Sequence, residues 1–334
     1  MRERILGMGS TGSGKTYAAL TIAQYFKDNK EWAKVAKQYK LPSDQIECYI
    51  IDPENRVERL MRYFGGKDAF PNVTVLKING DRPASEIYTH VYGSDKMRAL
   101  RLKSVDAQKR RVPIDPYKIF DMGLQEVGLM SWVEAQRQII ADATKQHPAN
   151  VELPHWFMLD MVSKYWDYFQ AEYAASEYGH EAMGELLYAN KLKEETKKLG
   201  GFEGRSEWPI IKQRHTGSIE YMIERSPCNV YATTSISDSP VDGSGKPLLQ
   251  KGNSILQHHN LKPDGEKHLP HMFDRGFYFS VKGRNFNMEI VKASPPMING
   301  AALKSERDWT DQSFWEVMRE YEEYDEAYIP GWSE

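Results

Sequence analysis

Cysteine is almost missing from this chain: Cys48 and Cys228 are the two thiols in 334 residues, far apart and each inside an apolar run. That spacing excludes a disulfide-built fold, and no neighbouring residue makes either thiol a nucleophile, so both read as small buried hydrophobes. No apolar run approaches the roughly 18 residues of a membrane span, and no signal-peptide pattern opens the sequence. A soluble protein of a reducing, cytoplasmic compartment is expected. An excess of charge of one sign is also lacking. The net charge is −3 with 27% charged residues, which excludes a chain that coats nucleic acid or membrane through its overall charge. Any charged interface must therefore be local. What is present is 40% hydrophobic residues, enough for one large α/β core with additions.

The first motif lies near the start. Gly9, Ser10, Thr11, Gly12, Ser13, Gly14, Lys15 and Thr16 fit G-x-x-x-x-G-K-[ST], after the apolar pair Ile5 and Leu6 and before an amphipathic run from Tyr17 to Phe26. Strand, loop and helix in that order form a phosphate cradle: glycines let successive N–H groups point inward, and the helix N-terminus adds positive potential. Lys15 is expected to reach the β- and γ-phosphates, Thr16 to ligate Mg²⁺, and Tyr17 to border the nucleotide. A flexible Gly/Ser linker would not be followed at once by Ala18, Ala19, Leu20, Ile22 and Ala23 in helical register.

Two further apolar runs end in acids. Cys48 to Ile51 leads into Asp52, Pro53 and Glu54, and ligands in an open parallel sheet collect at such strand ends. Glu54 is the candidate general base; Asp52 reads as a cap of the following helix. His155 to Leu159 delivers Asp160, the pattern of a core strand presenting a carboxylate to Mg²⁺. A fourth strand, Asn229 to Thr234, ends in the hydroxyls of Thr233 and Thr234, candidates to sense the γ-phosphate or ordinary strand formers.

With these residues in hand, the chain resembles the RecA-like P-loop ATPase superfamily, especially phage- and virus-encoded members associated with single-strand annealing and recombination. The likeness rests on Gly9 to Thr16, Cys48 to Glu54, Leu159-Asp160, and a late segment containing Lys262 to Lys267, Phe277 to Val281 and Phe286 to Lys292. It implies an α/β fold with a mainly parallel central sheet flanked by helices and closing β-strands near the C-terminus. It also implies ATP and Mg²⁺ as cofactors, nucleic acid, above all single-stranded DNA, as partner, and the host cytoplasm for a viral chain. The implied ATPase domain covers 1–304, with insertions at about 83–150 and 174–207, a DNA loop at 237–271, and an acidic C-terminal tail or helix at 305–334. Two departures stand out. The family's lysine-acid-arginine strand ending is Lys292-Ala293-Ser294 here, and its Gln or His sensor is Thr. The chain also opens at the first strand, without the amino-terminal segment by which filament recombinases grip neighbours, so no extended filament is expected by that route.

Residues 96–111 hold seven basic side chains, among them Arg98, Arg101, Lys103, Lys109, Arg110 and Arg111, against Asp106 alone. They read equally as a phosphate-backbone contact and as a solvated helix face. Lys246, Lys251, Lys262 and Lys267 are the side chains of the 237–271 loop suited to nucleic acid. Four histidines there, His258, His259, His268 and His271, lack any nearby cysteine and read as surface-loop residues rather than zinc ligands. Tyr165, Trp166, Tyr168, Phe169 and Tyr173 read as packing. The last segment, 306–334, carries ten acids; it suits a basic partner, competition for a basic groove, or a solvated helix docked by Trp309, Phe314, Trp315 and Val317.

The expected chemistry is attack of water on the γ-phosphate. P-loop amides and Lys15 hold the phosphates, Thr16 and Asp160 hold Mg²⁺, and Glu54 orients the water. A trans-supplied cation adds about 10³–10⁵-fold in such enzymes. A homo-oligomer with nucleotide at subunit interfaces is therefore expected, with Arg284 and Lys292 the candidate fingers. Rival readings on the same core are a helicase or DNA-packaging motor, a phosphotransferase with a small acceptor, and a noncatalytic nucleotide-gated binding protein.

Overall fold

The structure is a computed structural model that describes residues 2–39, 44–52, 56–77, 153–164, 207–215, 228–239, 254–292, 306–321, 324 and 328–331, with Trp166, Gln170 and Ile223. Eight strands form one sheet. They are β1 (Arg4–Gly9), β2 (Cys48–Asp52), β3 (Val73–Lys77), β4 (Leu153–Leu159), β5 (Cys228–Thr234), β8 (Arg275–Lys282), β9 (Asn285–Lys292) and β10 (Glu306–Asp308), in the order β10-β9-β8-β1-β5-β4-β2-β3. From β8 through β3 all neighbours run parallel, while β9 and β10 close the other edge in antiparallel register. Two short strands, β6 (Ile236–Asp238) and β7 (Leu261–Pro263), make a separate antiparallel ribbon. The chain is thus an α/β protein with a large, mostly parallel sheet and closing strands late in the sequence, as the sequence predicts.

Burial follows from topology. Every residue of β5 is buried, as are all of β1 after Arg4. That is the two-faced burial of interior parallel strands, and it explains why their sequences run apolar rather than alternating. Helix α1 (Lys15–Phe26) buries Ala18, Ala19, Leu20, Ile22, Ala23 and Phe26. Apolar residues lie around most of its circumference because it is covered twice, by the sheet and by the C-terminal helix. The remaining α-helices among the described residues are α2 (Lys30–Tyr39), α3 (Val57–Tyr63), α4 (Glu207–His215) and α5 (Phe314–Tyr321).

Helix α5 is the second cover. Ser313 and Glu316 begin it with a capping box: Trp315 N–H donates to Ser313 Oγ at 3.2 Å and Ser313 N–H to Glu316 at 3.0 Å. Phe314 N–H donates to Thr21 Oγ1 of α1 at 3.1 Å, while Phe314, Trp315, Val317 and Met318 are buried. The segment after residue 305 therefore gives the sheet its edge strand β10 and the core six apolar side chains, with Trp309 and Ile329 added to the four of α5. The insertions expected at 83–150 and 174–207 lie outside the described residues, except Glu207, which opens α4.

At the amino-terminal edge of the parallel strands, away from the P-loop, a buried charge pair closes the sheet. Glu3 and Arg275 are 1% and 4% exposed and hydrogen-bonded to each other, and Tyr324 donates to Glu3 at 2.9 Å. Burial, with the Glu3 charge beside them, pushes the phenols of Tyr324 and Tyr328 up.

Candidate functional site

The loop between β1 and α1 is shaped by two left-handed glycines, Gly12 at φ 80° and Gly14 at φ 95°. A side chain at Gly14 would also be crowded: a Cβ there would lie 3.0 Å from the Trp309 ring and 3.1 Å from Phe286. The cradle is thus backed by β9 and by the segment that follows β10. Helix α1 starts with no side-chain cap and no acid in its first turn, which leaves its first amides to an incoming anion. Lys15 is 6% exposed, and its ammonium donates to the carbonyls of Gly9 and Ser10, each at 2.7 Å. Ser13 Oγ is buried and has no hydrogen-bond partner among the described residues. Tyr17 stacks on Phe64 with centroids 4.6 Å apart and on Trp309 at 5.9 Å, so its ring borders the loop.

Sheet register brings the second half of the site to the same edge. Leu159 of β4 pairs with Ala232 of β5, which pairs with Leu6 of β1. The next residue of each strand, Asp160, Thr233 and Gly7, therefore falls on one row beneath the P-loop. Asp160 is 4% exposed, and Thr16 Oγ1 donates to its two oxygens at 3.0 and 3.1 Å. Thr233 Oγ1 donates to Asp160 Oδ1 at 2.7 Å and accepts from Met161 N–H at 2.6 Å. Met161 sits at φ 63°, a left-handed conformation unfavourable for a side chain of its kind, and Thr233 holds it there. Beneath them Tyr231 donates to the Lys15 carbonyl at 3.0 Å; burial, with Asp160 nearby, pushes its phenol well up, so it stays a neutral donor.

A hydroxyl beside a carboxylate with both oxygens turned to it is an all-oxygen donor set. It fits a hard divalent cation such as Mg²⁺, which takes one or two protein oxygens and leaves its other positions to water and phosphate. Thr16 and Asp160 would hold that ion.

Thr234, one residue on from Thr233, faces elsewhere. Its hydroxyl donates to the Asp264 carbonyl at 2.9 Å, and Ser235 Oγ donates to Asp264 Oδ2 at 2.6 Å. The β6–β7 ribbon thereby rises from the end of β5, and the residues that return the chain through the 237–271 segment are fastened beside the site. Lys262 is half-buried in β7, and Lys267 is exposed past it. Arg284 is exposed in the β8–β9 hairpin, at the same sheet edge as the P-loop. Lys292 ends β9 at the opposite edge, about 26 Å away at strand rise, with its ammonium on the carbonyls of Pro270 and Phe273. Burial lowers the Lys292 pKa.

Asp52 caps α3, accepting from Val57 N–H at 2.7 Å. Glu54 lies outside the described residues, as do Arg98, Arg101, Lys103, Lys109, Arg110, Arg111, Lys246 and Lys251. Of the aromatic run after Asp160, Trp166 stacks on Trp208 of α4 at 5.6 Å and meets His215 edge-on at 5.2 Å; the rest lies outside the described residues. Sequence reasoning missed the Thr233–Met161 strap and the aromatic backing of Gly14. Trp309, an aromatic in an acidic segment, was the available signal for the latter.

No protein-family description matches the chain, and no curated protein matches it. Among solved structures it is similar to the crystal structure of the RadB recombinase, at 11% identity and a TM-score of 0.36, covering 93% of this chain and 90% of that one. So low a score carries neither fold nor function. The fold rests on the strand order, and the site on its own contacts. No helix among the described residues is long and apolar enough to cross a membrane.

Proposed function

We propose that this chain is a Mg²⁺-dependent ATPase of RecA-like type that acts on nucleic acid, in DNA recombination, single-strand annealing or repair. The observation that carries the reading is the Thr16–Asp160 contact at 3.0 Å. It joins the hydroxyl of a phosphate-binding loop to a buried carboxylate delivered by a different strand, an arrangement suited to binding a metal–triphosphate complex. Bound Mg²⁺ would neutralise charge on the phosphate oxygens. Lys15 exchanges its two loop carbonyls for phosphate oxygens, the amides of the first turn of α1 receive the phosphates, and Thr233 keeps the Asp160 carboxylate facing Thr16. Glu54, just past β2, orients the attacking water.

The nucleic-acid half of the proposal rests on the ribbon fastened through Thr234 and Asp264, with Lys262 on it, Lys267 past its end, and Lys246 and Lys251 in the same loop. Arg98, Arg101, Lys103, Lys109, Arg110 and Arg111 offer a second basic stretch. Of the two candidate trans cations Arg284 is the better placed, being exposed at the P-loop edge, whereas Lys292 is committed to two carbonyls at the other. In the assembled ATPase, Arg284→Ala should therefore slow turnover and Lys292→Ala should not.

The deciding experiment is ATP turnover without nucleic acid, with single-stranded DNA and with duplex DNA, with Lys15→Ala and Glu54→Gln alongside. Stimulation by single strands that both substitutions abolish is the expected result. Stimulation by duplex alone would favour a translocating motor. Turnover indifferent to either DNA would overturn the nucleic-acid reading.

A further inference from the structure

On the sheet face turned away from α1 and α5, a second cluster of metal-binding atoms lies apart from the P-loop. Along β9, Met288 and Ile290 point into the core shared with those helices, so Glu289 between them points the other way. Its side chain is nevertheless only 9% exposed. What covers it is the 3₁₀ turn Ser254–His259, whose last two residues converge on the carboxylate. His258 Nε2 lies 2.8 Å from Glu289 Oε1 and His259 Nε2 lies 2.7 Å from Oε2. The three ligand atoms fall within 4.8 Å of one another. The imidazole centroids are 4.0 Å apart, and Tyr278 of β8 packs against His259 at 4.5 Å, walling the pair on one side.

We infer that His258, His259 and Glu289 form a binding site for a late first-row divalent cation of the Zn²⁺ class. Three observations support this. First, each oxygen of a nearly buried carboxylate is met by an imidazole nitrogen, so three ligand atoms converge at a point where a bound cation would offset the cost of burying the Glu289 carboxylate. Second, two imidazoles and one carboxylate are a donor set that zinc uses when it keeps an open fourth position, whereas hard Mg²⁺ and Ca²⁺ prefer oxygen. Third, the geometry is close to what is needed. Zinc bonds of about 2.0–2.2 Å in a tetrahedron set ligand atoms about 3.4 Å apart. Rotating the two rings less than about 1 Å away from the carboxylate opens that space. The partly exposed histidines, 43% and 30%, leave the fourth position to water and the ion a path in.

The placement suggests a role. His258 and His259 end the turn that feeds β7, while Glu289 belongs to the main sheet. The ion would clip the returning half of the 237–271 segment onto the sheet, fixing the ribbon that Thr234 fastens from the other side. Binding of the ion does not depend on the nucleotide reading, because no ligand is shared with Thr16 and Asp160.

The test uses full-length protein stripped with a chelator and titrated with Co²⁺, read by its ligand-field absorption, and with Zn²⁺, read by calorimetry. One equivalent should bind per chain, and Zn²⁺ should displace Co²⁺. Loss of an outer-sphere partner alone typically lowers metal affinity about 10–100-fold, so His258→Ala/His259→Ala and Glu289→Gln should each lower it by about 100-fold or more. His268→Ala/His271→Ala and Asp160→Asn should retain the signal. Absence of a stoichiometric Co²⁺ spectrum, or a spectrum that survives the His258→Ala/His259→Ala change, would overturn the inference. Thermal melts in chelator check folding. Should Glu289→Gln prove unfolded, the histidine pair, being partly exposed, decides the matter alone.

Discussion

Replacing Thr233 by valine keeps the shape of a central-strand residue and deletes one hydroxyl, which makes it the sharpest probe of the site. That hydroxyl donates to Asp160 and accepts from Met161 N–H, at 2.7 and 2.6 Å, inside a region where Thr233 is 1% exposed. A hydrogen bond to a charged group is worth about 1.5–3 kcal/mol, and a buried amide left unpaired costs about 1–3 kcal/mol. The added methyl returns about 1 kcal/mol of apolar burial, and Met161 recovers something by leaving its left-handed conformation. The net loss expected for Thr233→Val is about 2–4 kcal/mol. Thr233→Ser keeps the hydroxyl and loses one methyl, at about 1 kcal/mol. Urea unfolding of the three proteins, compared at equal m, separates the two outcomes. Freed from Thr233, Asp160 should also turn from Thr16, lowering Mg²⁺-dependent nucleotide affinity about tenfold, or roughly 1.4 kcal/mol. If valine and serine variants match within about 0.5 kcal/mol and bind nucleotide alike, the hydroxyl is not what positions Asp160.

The two left-handed glycines should differ on substitution. Gly12→Ala meets no atom within 4 Å and carries only the conformational cost of about 1–2 kcal/mol, whereas Gly14→Ala also presses on Trp309 and Phe286, adding about 1–3 kcal/mol; thermal melts should rank them so. At the far edge, Glu3→Gln removes the carboxylate charge beside the buried Arg275 guanidinium and should cost about 3–5 kcal/mol, while an apolar replacement of both partners should cost less, as denaturant titration would reveal. Burial pushes the His155 pKa down from 6.5 to about 4, and its Nδ1 accepts the Glu47 N–H at 3.0 Å, a bond that requires the unprotonated ring nitrogen. Between those values the unfolded chain binds the proton and the folded one does not, so stability falls as pH drops from 6.5 to 4 and levels off below. His155→Gln should remove at most about 3 kcal/mol of that slope, measured as unfolding free energy against pH.

The P-loop was legible because its determinants are contiguous: glycine spacing, the Lys-Thr pair and the helical register after them all fall within one stretch. Asp160 was legible for a related reason, since a buried strand must end and a carboxylate at that end faces the ligand edge. Thr233 was visible as a candidate but not in its role. Its partner Asp160 is 73 residues away, and only the register between β4 and β5 brings the two side by side. Glu289 was harder still. The histidines announced themselves by number, but the acid that meets them lies 30 residues or more along the chain in a strand with apolar neighbours. A lone carboxylate flanked by Met288 and Ile290 in a strand was the signal, and it has meaning only once the covering turn is known.

Strand alternation explains why the end of β5 can serve two elements at once. Successive side chains of a strand point to opposite faces, so adjacent threonines cannot both turn toward Asp160. With Thr233 on the Asp160 side, Thr234 must face the other way, and there it meets the carbonyl of Asp264. Both contacts are short hydrogen bonds to groups in or beside the site and the ribbon, and both hang from one peptide unit in a strand buried at every position. Close packing leaves that strand little freedom to move piecemeal. A displacement of Asp160 large enough to shift Thr233 must therefore also act on Thr234 and the chain it holds.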